Sequence, residues 1–238
     1  GHFLSGFPCA LVGHTTNHAW GLTMLSHDDM DLYLETIDWN KKRVKRGSSW
    51  VKLKEFPVTI PVKNAAPVSY TVTWTDIGPL TDSFLKFDHK KPVSLFWSYF
   101  DPDNNIYKAF HGINNQSDID SFENSVSQII SPGLNISYTN TQGDIAWWAA
   151  GRFINRTQSN PGHVPLDGED FTNHSTDYLP FSYNPKLLNP PQGYIITANN
   201  DPTGKRGNSG YYQPADRAER IEQLIKEKKQ LRNLLQLH

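Results

Sequence analysis

The chain has 238 residues, a hydrophobic share of 37%, an aromatic share of 12% and a formal net charge of -1. That apolar content is enough to build a core and argues against disorder, and the balanced charge provides no global basic field for nucleic acid. The single cysteine, Cys9, excludes an intrachain disulfide and a cysteine-based zinc cage.

The chain opens on Gly1-His2-Phe3-Leu4 with no basic-then-apolar signal pattern, and reads as a piece of something longer. It holds no run of about 18 apolar residues, so no membrane-spanning helix is expected. His14, His18 and His27 are the first candidate bases or ligands. There is no H-E-x-x-H pair, so a hydrogen-bonded structural role is expected for each. The stretch "WGLTMLSHDDMDLYLE", Trp20 to Glu35, then sets Asp28, Asp29, Asp31 and Glu35 beside Trp, Leu, Met and Tyr. Carboxylates are hard oxygen ligands that suit calcium, and Asp28, Asp31 and a carbonyl such as that of Met30 form a candidate donor set. The spacing is not that of an EF-hand, which needs Gly sixth and Glu twelfth. On spacing alone a capped turn is preferred.

Strands are expected next, at Val58 to Val62, Pro67 to Thr75 and Val93 to Tyr99. "PVSYTVTWT" alternates strictly, with Val68, Tyr70, Val72 and Trp74 on one face, as an antiparallel strand with one wet face does. A helix is expected over 117–130, with Ser117 as N-cap and apolar residues at three-to-four spacing. "LNISYTNTQGDIAWWAAG" predicts a hairpin turning at Gln142-Gly143-Asp144. Between Pro132 and Pro214 the many Pro, Gly and Asn residues predict long ordered loops, with a short strand at Tyr194 to Ala198. "TANNDP" puts Asn199 and Asn200 at the end of that strand. A side-chain amide there can donate to a developing oxyanion, and an Asx-turn before Pro202 is the simpler alternative. A last helix is expected over 214–237, with Pro214 in its first turn and "KEKKQLR" as a solvated face. Arg217 at its start could orient a carboxylate or a substrate, or form a surface ion pair of little worth. With no repeat and no composition shift, residues 1–238 read as a single region. The fold class is α+β, mostly antiparallel.

"VGHTTNHAWGLTMLSHDDMDLYLE", "SYTNTQGDIAWWAAGRF", "YLPFSYNPKLLNPPQGYIITANNDP" and "ADRAERIEQL" together resemble the penicillin acylase family, in order and spacing, over nearly the whole chain. Members are N-terminal-nucleophile amidohydrolases and include cephalosporin and acyl-homoserine-lactone acylases. The resemblance implies part of an αββα fold, in the portion of the large subunit that follows the nucleophile strands. It implies amide hydrolysis of a small N-acyl substrate through an acyl-enzyme, by a terminal Ser, Thr or Cys whose α-amino group is the base. That nucleophile is exposed by autocatalytic cleavage of a precursor. It places the oxyanion hole on the backbone N–H of Met24 and the amide of Asn199, and an arginine near the nucleophile on Arg217. It places calcium on Asp28, the carbonyl of Met30 and Asp31, with a further carbonyl near Pro161 or Gly162. The aspartate that often completes that calcium site has no clear match, Asp201 being the nearest substitute.

The nucleophile and the small subunit are expected outside this chain, which alone would be inactive. Family members are usually exported, which implies a periplasmic or extracellular location. The other function class left open is a non-catalytic binding or structural domain on the same scaffold. A Gly-Ser, Gly-Thr or Gly-Cys junction in the upstream reading frame would separate the two.

Overall fold

The computed structural model describes residues 1–81, 91–156, 162, 164–170, 172, 177–202 and 210–235, with side chains through residue 228. The strands before the helices are β1 (His2–Phe3), β2 (Ala10–His14), β3 (His18–Met24), β4 (Met30–Leu34), β5 (Ile37–Asp38), β6 (Arg43–Arg46), β7 (Ser49–Lys52), β8 (Lys54–Ile60), β9 (Val68–Trp74) and β10 (Val93–Trp97). Then come α1 (Ile106–Asn115), α2 (Ile119–Val126), β11 (Leu134–Asn140), β12 (Ile145–Ala150), β13 (Leu166–Asp167), β14 (Lys186–Leu188) and α3 (Asp216–Leu235). The chain forms two compact units, one of Gly1–Asp28, Asp101–Phe153 and Leu179–His238, the other of Asp29–Phe100 and Ile154–Tyr178.

The first unit is built on a six-stranded sheet in the order β1-β2-β3-β11-β12-β14. Its ladders are antiparallel, with β11 between β3 and β12. Alternation along β11 and β12 gives the sheet two different faces. Leu134, Ile136, Tyr138, Ala146, Trp148 and Ala150 point to one face, where they form a core with Phe110 and Ile113 of α1 and Phe122 and Val126 of α2. Trp147 and Ala149 point to the other face and pack with Leu25 and Phe153. The predicted hairpin is therefore present, with Gly143 at φ +95° in its turn.

The helices differ from expectation in detail. Asp118, not Ser117, caps α2, its carboxylate accepting from the N–H of Ser121 at 2.9 Å. That helix ends at Val126, while Ile129 and Ile130 stay buried beyond it. Helix α1 was not expected from the sequence: Ile106, Ala109, Phe110 and Ile113 stand at helical spacing behind the N-cap Asn105, but Gly112 lowers the local propensity. Gly112 is the crossing point with α2: a Cβ there would lie 2.2 Å from Ser125 Oγ and 2.7 Å from Ser125 Cβ. Pro214 precedes α3 rather than sitting in its first turn, and positions 236–237 of the expected helix lie outside the described residues.

Tyr194 to Ala198 is not a strand. The free edge of β12 is already paired with β14, through Ala146–Leu188, Trp147–Leu187 and Trp148–Lys186, so the segment has no ladder to join there. It runs as irregular backbone, with Ile195 against the Trp147 cluster.

The second unit contains a β10-β4-β13 sheet, a β5-β6-β7 sheet and a β8-β9 ribbon. β13 joins β4 in parallel; every other strand pair in the chain is antiparallel among the described residues. The ribbon keeps the predicted alternation, pairing Phe56–Val72, Val58–Tyr70 and Ile60–Val68 on one face. That face is not dry, for Val68 and Tyr70 are 54% and 49% exposed. The unit's interior holds Arg46, fully buried, bonded to Glu35 at 2.6 Å and Asp76 at 2.7 Å. Burial alone would lower the pKa of the Arg46 guanidinium, but the bonds from Glu35 and Asp76 outweigh it and hold it above its ordinary value.

In an open helix, Gly→Ala gains up to about 1 kcal/mol of helix propensity. At Gly112 the contact with the Ser125 backbone-proximal carbon reverses the sign, because no rotamer of Ser125 moves its Cβ. Gly112→Ala in the full-length protein should lose about 1–3 kcal/mol in denaturant unfolding, as overpacked sites do. A stabilised variant would show that α1 and α2 separate readily.

Candidate active site

Strand β3 ends at Met24, where the sheet's hydrogen-bond alternation decides what its backbone faces. The N–H of Leu25 donates to the carbonyl of Gly133 at 3.0 Å. Met24 pairs with Leu134 in the register, so this pair is the non-bonded kind, and the N–H and C=O of Met24 turn away from β11. On the other side, among the described residues, β2 pairs with β3 only at Gly13–Trp20 and His14–Ala19, short of Met24.

Two asparagine amides meet the carbonyl of Met24. Asn135 Nδ2 donates to it at 3.0 Å and to Thr23 Oγ1 at 3.1 Å, while Asn135 Oδ1 accepts from Trp147 Nε1 at 3.1 Å. Asn199 Nδ2 donates to it at 3.0 Å from the far side of the fold's sequence. Arg217 Nη1 donates to Asn199 Oδ1 at 3.2 Å and to the carbonyl of Ala198 at 3.1 Å. A guanidinium has no acceptor, so this bond settles which end of the Asn199 amide faces Met24. One N–H of Asn199 is used on the Met24 carbonyl; the second has no partner among the described residues.

Local backbone explains how Asn199 reaches there. Its φ is +64°, a left-handed conformation that Asn tolerates better than most residues. Its carbonyl accepts from the N–H of Gln213 at 2.8 Å, and Asn200 bridges Gln213, tying this corner to the segment that leads into α3. Asn200 forms the local turn: its Oδ1 accepts from the N–H of Ala198 at 3.2 Å. Arg217 lies in the first turn of α3, the end where a helix dipole disfavours a cation, so its place follows from its bonds to residues 198–199 rather than from the helix. Beside this corner is a small cavity of about 60 Å³, lined by Asn135, Trp147, Leu187, Ile196, Thr197 and Asn200. Thr197 of its lining accepts at Oγ1 from Thr23 Oγ1 at 3.2 Å.

Of the predicted site residues, Met24, Asn199 and Arg217 are thus brought together in one unit. The histidines have structural roles. His18 is buried between the carbonyl of Ile113 at 2.9 Å and Thr15 Oγ1 at 3.0 Å. His27 bonds the carbonyl of Arg152 at 3.2 Å, and His14 lies exposed beside the carbonyl of Thr15. Partly buried Tyr212 has its hydroxyl pKa raised first by desolvation, then by the charges of Asp201 and Asp28.

A family model described as penicillin amidase matches residues 1–238. The chain belongs to the penicillin amidase family. It is 27% identical to the acyl-homoserine lactone acylase QuiP of Pseudomonas aeruginosa, covering 93% of this chain and 28% of that protein. It is 26% identical to the penicillin G acylase of Escherichia coli, covering 94% of this chain and 27% of that protein. It spans little more than a quarter of either relative. Its fold matches a thermostable penicillin G acylase from Alcaligenes faecalis with a TM-score of 0.74 at 23% identity, over 88% of this chain and 37% of that one. The fold is accordingly the mixed α+β, mostly antiparallel fold of N-terminal-nucleophile hydrolases. Among the described residues no helix is long and apolar enough to cross a membrane.

The calcium that the family resemblance implies meets a different environment at each proposed donor. Asp28 is buried, at the end of the first stretch of chain in the first unit. Met30 opens β4 with its side chain exposed. Asp31 has both oxygens bonded to Arg156 Nη1, at 2.9 and 3.0 Å, so its carboxylate does not fit as a ligand open to a cation. Gly162 has φ +74°, and Pro161 lies outside the described residues. No group of three His, Cys, Asp or Glu side chains that could hold a metal occurs among the described residues.

Sequence reasoning in this penicillin amidase chain missed Asn135. Its signal was an Asn inside "LNISY", since Asn is depleted in strands and needs partners when buried there. Asn135→Ala would leave the buried Trp147 Nε1 unsatisfied and free one side of the Met24 carbonyl. It should cost about 1–3 kcal/mol in denaturant unfolding of the full-length protein. An unchanged midpoint would mean that water replaces the amide.

Proposed function

We propose that the protein containing this chain hydrolyses the amide bond of a small N-acyl substrate through an acyl-enzyme, and that this chain supplies its oxyanion hole. The observation that carries the reading is the amide of Asn199, held in one orientation by Arg217, on the carbonyl of Met24, a residue whose backbone N–H also faces away from β11. The names of the relatives, a penicillin G acylase and an acyl-homoserine lactone acylase, support the acylase class.

When the nucleophile's oxygen or sulfur adds to the substrate carbonyl, negative charge collects on the carbonyl oxygen. The N–H of Met24 and the second N–H of Asn199 are the donors for that charge. Fixed donors of this kind need no reorganisation as the charge forms. Arg217 acts through Asn199 by pinning its Oδ1. The nucleophile, its α-amino base and the small subunit come from other parts of the protein, and an exported location follows the family pattern.

Asn199→Ala in the full-length, processed enzyme should lower kcat about 100- to 1000-fold with little change in KM. Near-parental turnover in a normally processed variant would remove Asn199 from the oxyanion hole. Asn200→Ala, which breaks only the local turn, should affect folding before turnover. Because Arg217 works through Asn199, Arg217→Met should lower kcat, and the double variant should be no slower than Asn199→Ala alone. Multiplying losses would give Arg217 an independent role on substrate.

A further inference from the structure

We propose that the guanidinium of Arg156 is a built-in cation for Asp31, taking at that carboxylate the place that the family resemblance gives to calcium. Asp31 is in the middle of the second unit's sheet, on β4, paired with Phe96 of β10. Its side chain is 2% exposed, and that of Arg156 10%. Both carboxylate oxygens accept from Arg156 Nη1. A buried carboxylate needs a counter-charge, and a guanidinium on the same chain supplies one permanently, whatever the cation concentration.

The position of Arg156 gives the pair a second consequence. The chain re-enters this unit at Ile154, which bridges Tyr178, and Asn155 donates its N–H to the carbonyl of Asp177 at 2.9 Å. Farther along the same segment, β13 adds to β4 in parallel at Tyr33 and Leu34. The Arg156–Asp31 pair therefore fastens the start of the 154–178 segment to the strand on which that segment's β13 ends up. A calcium ion on Asp31 would have to displace this contact.

The experiment measures unfolding temperature in the full-length protein, in chelator and in millimolar calcium, for the parent, Asp31→Asn, Arg156→Met and the double variant. The expected result is that any calcium response of the parent persists unchanged in Asp31→Asn. In chelator, Arg156→Met should unfold several degrees lower, because the buried Asp31 carboxylate loses the Arg156 counter-charge. The double variant should recover part of that loss. A calcium stabilisation that vanishes in Asp31→Asn but survives in Arg156→Met would overturn the proposal, since the ion would then be the counter-charge. So would a double variant no more stable than Arg156→Met alone. If Arg156→Met does not fold, the comparison of the parent with Asp31→Asn still decides the question.

Discussion

The bond from the Leu25 N–H to the Gly133 carbonyl is the last rung of the β3–β11 ladder, and the candidate site depends on its phase. In an antiparallel pair, backbone groups alternate between facing the partner and facing away. With Leu25 and Thr23 committed to β11, Met24 must present its N–H and carbonyl elsewhere. A register shifted by one residue would put Leu25 in that position and bury the Met24 groups in the ladder. It would also move Trp20 off the helix-covered face of the sheet, where it packs with Phe110 and Phe122. Core packing on one face thus holds in place the donor geometry at the strand's end.

The acidic stretch after β3 follows the same period of two. Asp31, Tyr33 and Glu35 alternate with Leu32 and Leu34, and it is the acidic residues and the tyrosine that are buried. Each carboxylate has a different partner. Asp29 accepts from Trp97 Nε1 and Ser98 Oγ, Asp31 from Arg156, and Glu35 from Arg46 and Ser94. Gly168 allows that packing, for a Cβ there would lie 2.4 Å from Glu35 Oε2. Buried pairs of this kind add little net stability, but removing one partner leaves an uncompensated charge at a cost of about 3–5 kcal/mol. The apolar neighbours and the acids are therefore one pattern: a strand whose dry face is ionic and whose counter-charges come from distant sequence.

That distance explains what the sequence made legible. Strict alternation in "PVSYTVTWT" and the Gly143 turn of the 134–150 hairpin are local, and both elements stand where expected. The Tyr194 to Ala198 segment has the composition of a strand but no edge to pair with, and edge occupancy by β14 is not visible in either segment alone. Helix α1 was obscured because Gly112 lowers local propensity while serving a crossing with Ser125 thirteen residues later. The two units carry no compositional mark, since the chain leaves the first unit and returns to it twice, at Asp101 and at Leu179. Met24, Asn199 and Arg217 were named through family resemblance, and the structure brings them together. Asn135 and Thr197 meet that corner through contacts with Thr23 and, for Asn135, Met24 of β3, which no spacing encodes.

The two adjacent asparagines divide one short motif between a local turn and a long-range contact. Asn200 performs the turn that "TANNDP" suggests, accepting from Ala198 N–H and donating to the carbonyl of Asp201. That leaves Asn199 free of local duty, and its positive φ directs the side chain out of the turn and onto Met24. A β-branched or bulky residue would resist this backbone, and glycine would accept it without supplying an amide. Asparagine is the residue type that tolerates the left-handed conformation and carries two N–H donors on one atom. One of those donors anchors the side chain to the carbonyl of Met24 at the end of β3, and the other is the donor that the proposed function uses. Arg217 completes the arrangement by occupying Oδ1, which prevents the amide from flipping its oxygen toward the Met24 carbonyl. The conformational demand and the anchor therefore select the same residue type at 199, and the neighbouring turn at 200 leaves its side chain available for that contact.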